Sequence, residues 1–134
     1  MKDDDRIAIV FIGEGGAQNG RMAECLNAAA KENLPLLFLV IDNGRAINTF
    51  TPDVAQNMDI FAQGEHYGVP GIKVDGGSLE ETLKAGRAVI DHVRTKGPAI
   101  MQVRAHAEPH LHDPVPQRRA AQHPPPDGTP PDLC

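Results

Sequence analysis

Residues 9–43 read IVFIGEGGAQNGRMAECLNAAAKENLPLLFLVIDN, and this stretch decides the fold. It begins inside a largely apolar run at residues 6–12 and closes on a second one at residues 36–41. Runs of this kind, bounded by charge and glycine, are typical of strands that are buried in a parallel sheet. Between them, residues 20–33 place apolar side chains at helical spacing, and Pro35 prevents the helix from continuing. The stretch therefore predicts a strand, a helix and a second, parallel strand.

The same alternation of elements continues up to residue 103. A short helix is predicted around residues 54–64, and a short strand at residues 71–76. Ser78 and Glu81 form a capping box at the start of a longer helix, and residues 99–103 predict the last strand. The predicted core-facing side of that helix comprises Leu79, Leu83, Gly86, Ile90 and Val93. The fold class is therefore α/β, with a mainly parallel sheet and helices on both of its faces.

Composition restricts the class of protein. The chain has 134 residues, which suggests one domain or a piece of one. The net charge of −5 and the lack of a basic stripe argue against nucleic acid as a partner. No apolar run approaches the roughly 20 residues of a membrane span, so no membrane partner is expected. The 2 cysteines form no CxxC pair, which argues against a disulfide scaffold.

Oxygen-bearing side chains follow both strands of the opening unit. Glu14 lies in the tight loop after the first strand, and Asn43 follows the second. In open α/β sheets, ligands gather at the carboxyl ends of the strands, and carboxylate and amide oxygens suit Mg²⁺ or Ca²⁺. Gly15 and Gly16 would let backbone N–H groups approach a phosphate at the start of the following helix. The arrangement predicts a diphosphate that is bridged by a metal ion.

Two commoner glycine motifs do not fit this loop. The dinucleotide fingerprint G-x-G-x-x-G requires a glycine where Gln18 stands. The P-loop pattern fits Gly15 and Gly20, but Arg21 and Met22 replace its lysine and hydroxyl residue. A nucleotide-binding domain of either kind is therefore the least favoured interpretation.

The remaining pattern is G-E-G followed, after the next strand, by D-N, and it resembles the G-D-G and N-N motif of thiamin-diphosphate enzymes. The surrounding text, GEGGAQNGRMAECLNAAAKENLPLLFLVIDN, resembles the α subunit of the pyruvate dehydrogenase E1 component. So do GVPGIKVDG at residues 68–76 and GPA at residues 97–99. The similarity is collinear over residues 5–103. The resemblance implies a thiamin-diphosphate-binding fold, of which residues 1–103 form part of the diphosphate-binding domain.

The resemblance also implies cofactors, partners and residue roles. The cofactors are thiamin diphosphate and Mg²⁺, and the reaction is decarboxylation of pyruvate with acetyl transfer to a lipoyl group. The implied partners are an E1 β subunit and a lipoyl-bearing E2 component, in plastid stroma, mitochondrial matrix or bacterial cytoplasm. Glu14, Asn43 and the backbone carbonyl of Arg45 would hold the metal. The implied cofactor-binding residues are Gly13, Glu14, Gly15, Gly16, Asn43 and Arg45.

Departures from the family pattern keep other interpretations open. Glu14 is one methylene longer than the family's aspartate, and it could instead cap the next helix. Asn43 could form only an Asx turn, and the Arg45 side chain is expected to be solvated. A branched-chain or other 2-oxo acid dehydrogenase E1 α subunit shares the motif. A folded remnant that does not bind the cofactor is the third alternative.

Residues 104–134 are predicted to be a disordered tail, because they carry most of the 12 prolines and 6 histidines and no apolar period. The family has a histidine near the cofactor in this region, and His110 is the candidate for that catalytic position, with His112 as an alternative. The flanking Gly and Ser of the family are missing here. The abrupt loss of similarity after residue 103 suggests the hypothesis of a shifted reading frame or an unspliced end. A zinc site formed with His106 is a weaker alternative.

Overall fold

The computed structural model describes residues 5–47, 49–53 and 55–105, and the fold is that of these residues. Along the chain, the helices and strands are β1 (Ala8–Gly13), α1 (Glu14–Ala17), α2 (Gly20–Lys31), β2 (Leu36–Asp42), β3 (Arg45–Ala46), β4 (Thr49–Phe50), β5 (Gly71–Asp75), α3 (Leu79–Lys96) and β6 (Ala99–Arg104). Two 3-10 helices, Thr51–Asp53 and Ile60–Tyr67, connect β4 to β5.

Four strands form one parallel sheet in the order β1-β2-β6-β5. In its register, Gly13 pairs with Ile41 and Asp42 pairs with Arg104, so the carboxyl ends of β1, β2 and β6 lie side by side. All three ladders of this sheet are parallel, as the alternation of strands and helices in the sequence predicts. The loops that follow these strands therefore share one edge of the sheet.

The core lies on both faces of this sheet. Phe38 and Val40 on β2 pack with Leu26 of α2 on one face. Leu37, which precedes Phe38 on β2, packs with Val93 of α3 on the other face. Because successive strand residues point to opposite faces, an uninterrupted apolar strand needs a helix on each side. The α/β prediction with helices on both faces is confirmed.

The first strand is less buried than its apolar sequence predicts. β1 lies at the edge of the sheet, and Ile9 and Phe11 are 41% and 69% exposed. Their face of the sheet is covered farther along by α3, which packs over β2, β5 and β6. The prediction of a buried strand is wrong here, because an apolar run does not reveal whether its strand is central or at an edge.

The long helix α3 begins and ends as predicted, but only the end of its predicted core-facing side, with Ile90 and Val93, packs against the core. The Ser78 side chain accepts a hydrogen bond from the Glu81 amide, which is one half of the predicted capping box, while the Ser78 amide donates to the Asp75 carbonyl. Val89 and Val93 are buried, whereas Leu79 and Leu83 are 74% and 51% exposed. A helix of 18 residues is about 27 Å long, and the strands beneath it span roughly 20 Å. Its first turns therefore have no sheet to cover.

Among the described residues, no helix has both the length and the apolar character that crossing a bilayer requires.

The connections differ from the prediction in two places. The loop at residues 13–19 contains one helical turn, α1, because Gln18 and Asn19 donate their amides to carbonyls three residues back. After β2, Arg45–Ala46 and Thr49–Phe50 form a small antiparallel hairpin that the sequence did not indicate. Its strands have two residues each, which is too short for an alternating pattern to show. The predicted helix at residues 54–64 is a 3-10 helix that begins later, at Ile60.

Candidate functional site

The two strand ends that carry the predicted ligands are direct neighbours. Gly13 and Ile41 are paired in the ladder between β1 and β2, so Glu14 and the segment from Asp42 to Arg45 leave the sheet side by side. The sequence predicts these residues at one edge if the two strands are neighbours. β1 and β2 are neighbours in the parallel sheet, so this condition is met.

Glu14 is a buried carboxylate. It opens α1, is 2% exposed, and its Oε1 accepts a hydrogen bond of 3.1 Å from the hydroxyl of Thr51, which is fully buried. The next helix, α2, is capped by Asn19, whose side-chain oxygen accepts from the Arg21 amide at 3.0 Å. Asn19 and not Glu14 therefore caps α2, while Glu14 lies in the first turn of α1. A buried carboxylate needs polar partners, and Thr51 supplies one of them.

Two consecutive Asx turns shape the loop after β2. The Asp42 Oδ1 atom accepts from the Gly44 amide at 3.0 Å, and the Asn43 Oδ1 atom accepts from the Arg45 amide at 2.9 Å. Asn43 is exposed and follows the end of β2 directly. The turn expected of this sequence is thus present. An amide oxygen has two lone pairs, so the turn leaves Asn43 able to coordinate a cation as well.

Arg45 begins β3, and its side chain is not simply solvated as predicted. The guanidinium carbon lies 4.2 Å from the centre of the Phe50 ring on the opposite strand of the hairpin. Such a contact contributes about 0.5–1 kcal/mol at an exposed site. It helps to hold a hairpin of only two residue pairs beside the site.

Gly15 is required by a contact within the chain. A Cβ atom at this position would lie 2.5 Å from the Cβ of Ala46 on β3. The backbone of α1 at Gly15 therefore packs directly against the Ala46 side chain of the hairpin. At Gly16 a Cβ would crowd the Ile12 side chain, whereas at Gly13 it would meet nothing within 4 Å. Among the predicted cofactor-binding glycines, Gly13 is the one with open space around it.

Sequence reasoning missed three polar residues beneath this edge. The buried polar side chains among the described residues are Glu14, Asp42, Thr51 and Gln102. Gln102 Nε2 donates to Asp42 Oδ2 at 2.7 Å and to the Met58 carbonyl at 2.9 Å, while its Oε1 accepts from the Phe61 amide at 3.1 Å. The available signal was Gln102 itself, a single polar residue within an apolar strand.

These contacts form one continuous series, which we call the strand-end hydrogen-bond chain, consisting of Gln102, Asp42, Gly44, Thr51 and Glu14. Gln102 donates to one oxygen of Asp42, and the Gly44 amide donates to the other. The Thr51 amide donates to the Gly44 carbonyl at 3.1 Å, and the Thr51 hydroxyl donates to Glu14. The strand-end hydrogen-bond chain thus links β6 to the loops after β2 and β1, where the predicted metal ligands lie.

The donor set fits a small hard cation. It offers the Glu14 carboxylate, the Asn43 amide oxygen and the Arg45 carbonyl, and oxygen ligands of this kind suit Mg²⁺. Within residues 5–47, 49–53 and 55–105, no three His, Cys, Asp or Glu side chains come together as a metal site. A cation here would therefore rest on one carboxylate and neutral oxygens. The candidate catalytic residue His110, like His106 and His112, lies outside the described residues.

Thr51 provides the first test of this geometry. We expect Thr51→Val to lower the free energy of unfolding by about 1–3 kcal/mol, because it removes the hydroxyl that donates to the buried Glu14 carboxylate while nearly keeping the side-chain size. Thr51→Ser, which keeps the hydroxyl, should lose less. Urea unfolding of both variants measures the difference, and equal stability of Val and Ser variants would contradict the importance of this bond.

Comparison with known proteins places this geometry in a family. Residues 1–118 match the model of the family described as "Dehydrogenase E1 component". The pyruvate dehydrogenase E1 component subunit alpha of Rhizobium meliloti is 29% identical over 103 residues, covering 76% of this chain and 30% of that protein. The chloroplastic alpha-3 subunit of Arabidopsis thaliana is 31% identical over 102 residues, covering 75% of this chain and 24% of that protein.

A solved structure agrees on the fold. The thiamine diphosphate-dependent 4-hydroxybenzoylformate decarboxylase of Rhodococcus jostii superimposes with a TM-score of 0.56 at 24% identity, covering 78% of this chain and 20% of that one. The predicted thiamin-diphosphate-binding fold is confirmed. The chain spans between about a quarter and a third of the length of the curated relatives described here. Since the family model matches most of its residues, the chain belongs to the dehydrogenase E1 component family.

Proposed function

We propose that this chain supplies the metal- and diphosphate-binding strand ends of a pyruvate dehydrogenase E1 α subunit. The reaction proposed is the oxidative decarboxylation of pyruvate, with transfer of the acetyl group to a lipoyl group. The proposed partners are an E1 β subunit and a lipoyl-bearing E2 component. The names of the curated relatives support the choice of pyruvate dehydrogenase. Because the chain covers a minor part of those relatives, the activity proposed is that of a larger assembly.

One observation carries the proposal. The Glu14 carboxylate and the turn at residues 43–45 leave adjacent parallel strands, and Thr51 binds both the Glu14 side chain and the Gly44 carbonyl. This arrangement supports a site in which a negative charge and neutral oxygens lie at one edge of the sheet, with hydrogen bonds through Thr51 joining the two loops. Such preorganisation lowers the entropic cost of ordering the ligands when a cation binds. The geometry is therefore suited to Mg²⁺ with a diphosphate.

Each residue has a separate part in the proposed site. Glu14 supplies the negative charge that attracts Mg²⁺, and Asn43 and the Arg45 carbonyl supply neutral oxygens. The open space at Gly13 leaves its backbone accessible to a diphosphate. When bound, thiamin diphosphate supplies the electron sink for decarboxylation. The part of this chain is to bind and orient that cofactor.

Replacement of Asn43 tests the proposal. In the chain assembled with an E1 β subunit, we expect Asn43→Ala to weaken the binding of Mg²⁺ and thiamin diphosphate by about tenfold or more, because one oxygen ligand is removed. Calorimetry measures the dissociation constant. Asn57→Ala is the matched control, because the exposed Asn57 also accepts a backbone amide two residues on, Asp59, at 2.8 Å. Binding that is equal in the two variants would exclude Asn43 as a ligand.

A second candidate is a folded domain without cofactor binding. The 2% exposure of Glu14 and its bond to Thr51 favour this alternative, since the carboxylate already has a partner within the chain. The two candidates differ in thermal behaviour. A chain that binds Mg²⁺ with thiamin diphosphate melts at a higher temperature in their presence. A melting temperature that stays constant up to millimolar cofactor in the assembled complex would favour the second candidate.

A further inference from the structure

The central strand β6 carries a glutamine whose side chain is fully buried. Gln102 pairs in register with Val40 of β2 and Lys73 of β5, in the middle of the sheet. A glutamine buried at this position costs free energy unless its amide is hydrogen-bonded. Its three hydrogen bonds satisfy both amide hydrogens and one lone pair of the oxygen. A leucine would fill the same place without needing any partner.

The partners of Gln102 lie at the end of β2 and in the segment that leads into the second 3-10 helix. One is Asp42, whose carboxylate also receives the Gly44 amide and so closes the turn around Asn43. The other is the stretch from Met58 to Phe61, at the start of the second 3-10 helix. Both amide hydrogens point at acceptors that belong to different segments. The glutamine therefore sets the distance between the two.

We propose that Gln102 is a positioning residue that holds the loop after β2, and with it Asn43 and Glu14, in the arrangement that binds a divalent cation. The inference rests on the proposed function. Gln102 acts through Asp42 and the strand-end hydrogen-bond chain, and it does not touch the cation. In this role the Asp42 carboxylate supports the loop: its Oδ2 atom accepts from Gln102 and its Oδ1 atom accepts from the Gly44 amide.

An exchange of the two interacting side chains tests this role. Gln102→Glu keeps the side-chain length but sets a carboxylate against Asp42, and Asp42→Asn sets an amide N–H against the Gln102 amide. The double variant Gln102→Glu with Asp42→Asn restores a donor and an acceptor between the two positions, whereas the Met58 carbonyl stays without the donor that Gln102 gives it. The double variant also keeps the acceptor for the Gly44 amide. The matched control is Gln56→Glu, the same change at an exposed glutamine.

Hydrogen exchange of the backbone amides gives the first measurement. In the full 134-residue chain, we expect each single variant to speed the exchange of the Gly44 and Arg45 amides by about tenfold or more, because local opening becomes easier. The double variant should return both rates toward those of the unchanged chain, and Gln56→Glu should leave them unaltered. Unchanged exchange in both single variants would overturn the proposal.

Mn²⁺ affinity in the presence of thiamin diphosphate gives the second measurement, read by electron paramagnetic resonance on the chain assembled with an E1 β subunit. We expect each single variant to raise the dissociation constant of Mn²⁺ by about 10–100-fold, as loss of outer support for a metal ligand does. The double variant should recover the part of this affinity that depends on the bond between positions 42 and 102. Altered exchange with unaltered affinity would overturn the positioning role. Absence of Mn²⁺ binding in the unchanged chain would instead overturn the proposed function.

Discussion

Gly71→Ala is expected to lower the free energy of unfolding by about 3 kcal/mol or more, the cost of severe overpacking. A Cβ atom at Gly71 would overlap the backbone carbonyl oxygen of Phe61, which cannot rotate away as a side chain could. The strand β5 and the second 3-10 helix would have to separate. Urea unfolding should show a lower midpoint with an unchanged slope. A midpoint equal to that of the unchanged chain would contradict the close approach.

Gly86→Ala is the control for this measurement. Gly86 lies within α3, and a Cβ atom there would meet no heavy atom within 4 Å. Because alanine favours helix over glycine by up to about 1 kcal/mol, we expect this variant to be more stable. The two substitutions add the same methyl group. Opposite changes in the free energy of unfolding would therefore assign the loss at Gly71 to its contact with Phe61. The contact bears on the site because the Phe61 amide also binds Gln102.

Glu14→Gln is expected to raise the dissociation constant of Mg²⁺ with thiamin diphosphate by more than about 100-fold. Loss of an outer partner of a ligand alone costs about 10–100-fold, and this change removes the only carboxylate of the proposed ligand set. The amide keeps an oxygen that can accept from Thr51, so the unfolding free energy should change little. Calorimetry on the chain assembled with an E1 β subunit measures the affinity.

Glu24→Gln is the matched control for that loss. Glu24 is exposed on α2, so its substitution removes the same unit of charge from the protein without removing a ligand. The loss of long-range attraction for Mg²⁺ should weaken binding only slightly in this variant, because salt screens exposed charges. Equal affinities of the Glu14 and Glu24 variants would exclude Glu14 from the metal site.

The order of elements could be predicted because each signal is local. The apolar runs before Gly13 and Asp42, the cap at Ser78 and the stop at Pro35 each act over a few residues. Together with the rule that parallel crossovers have one hand, they are sufficient for a mainly parallel sheet. They also bring Glu14 and Asn43 to one edge, since neighbouring strand ends share it.

The supports of the site could not be predicted, because they join residues that are distant in sequence. Gln102 and Asp42 are 60 positions apart, and Thr51 and Glu14 are 37 positions apart. No local pattern says which buried polar side chains will meet. The edge position of β1 has the same origin, since its exposure depends on which strands pair with it. The apolar run at residues 6–12 predicts burial of Phe11, but it holds no information on which strands pair with β1.

The contact between Gly15 and Ala46 has an evolutionary consequence. Because a single added carbon at position 15 would reach the Ala46 side chain, the two positions should not vary independently. Family members that keep glycine at the first position should accept only small residues at the second. Where a larger residue occupies either one, the opening between the two strand ends should be wider.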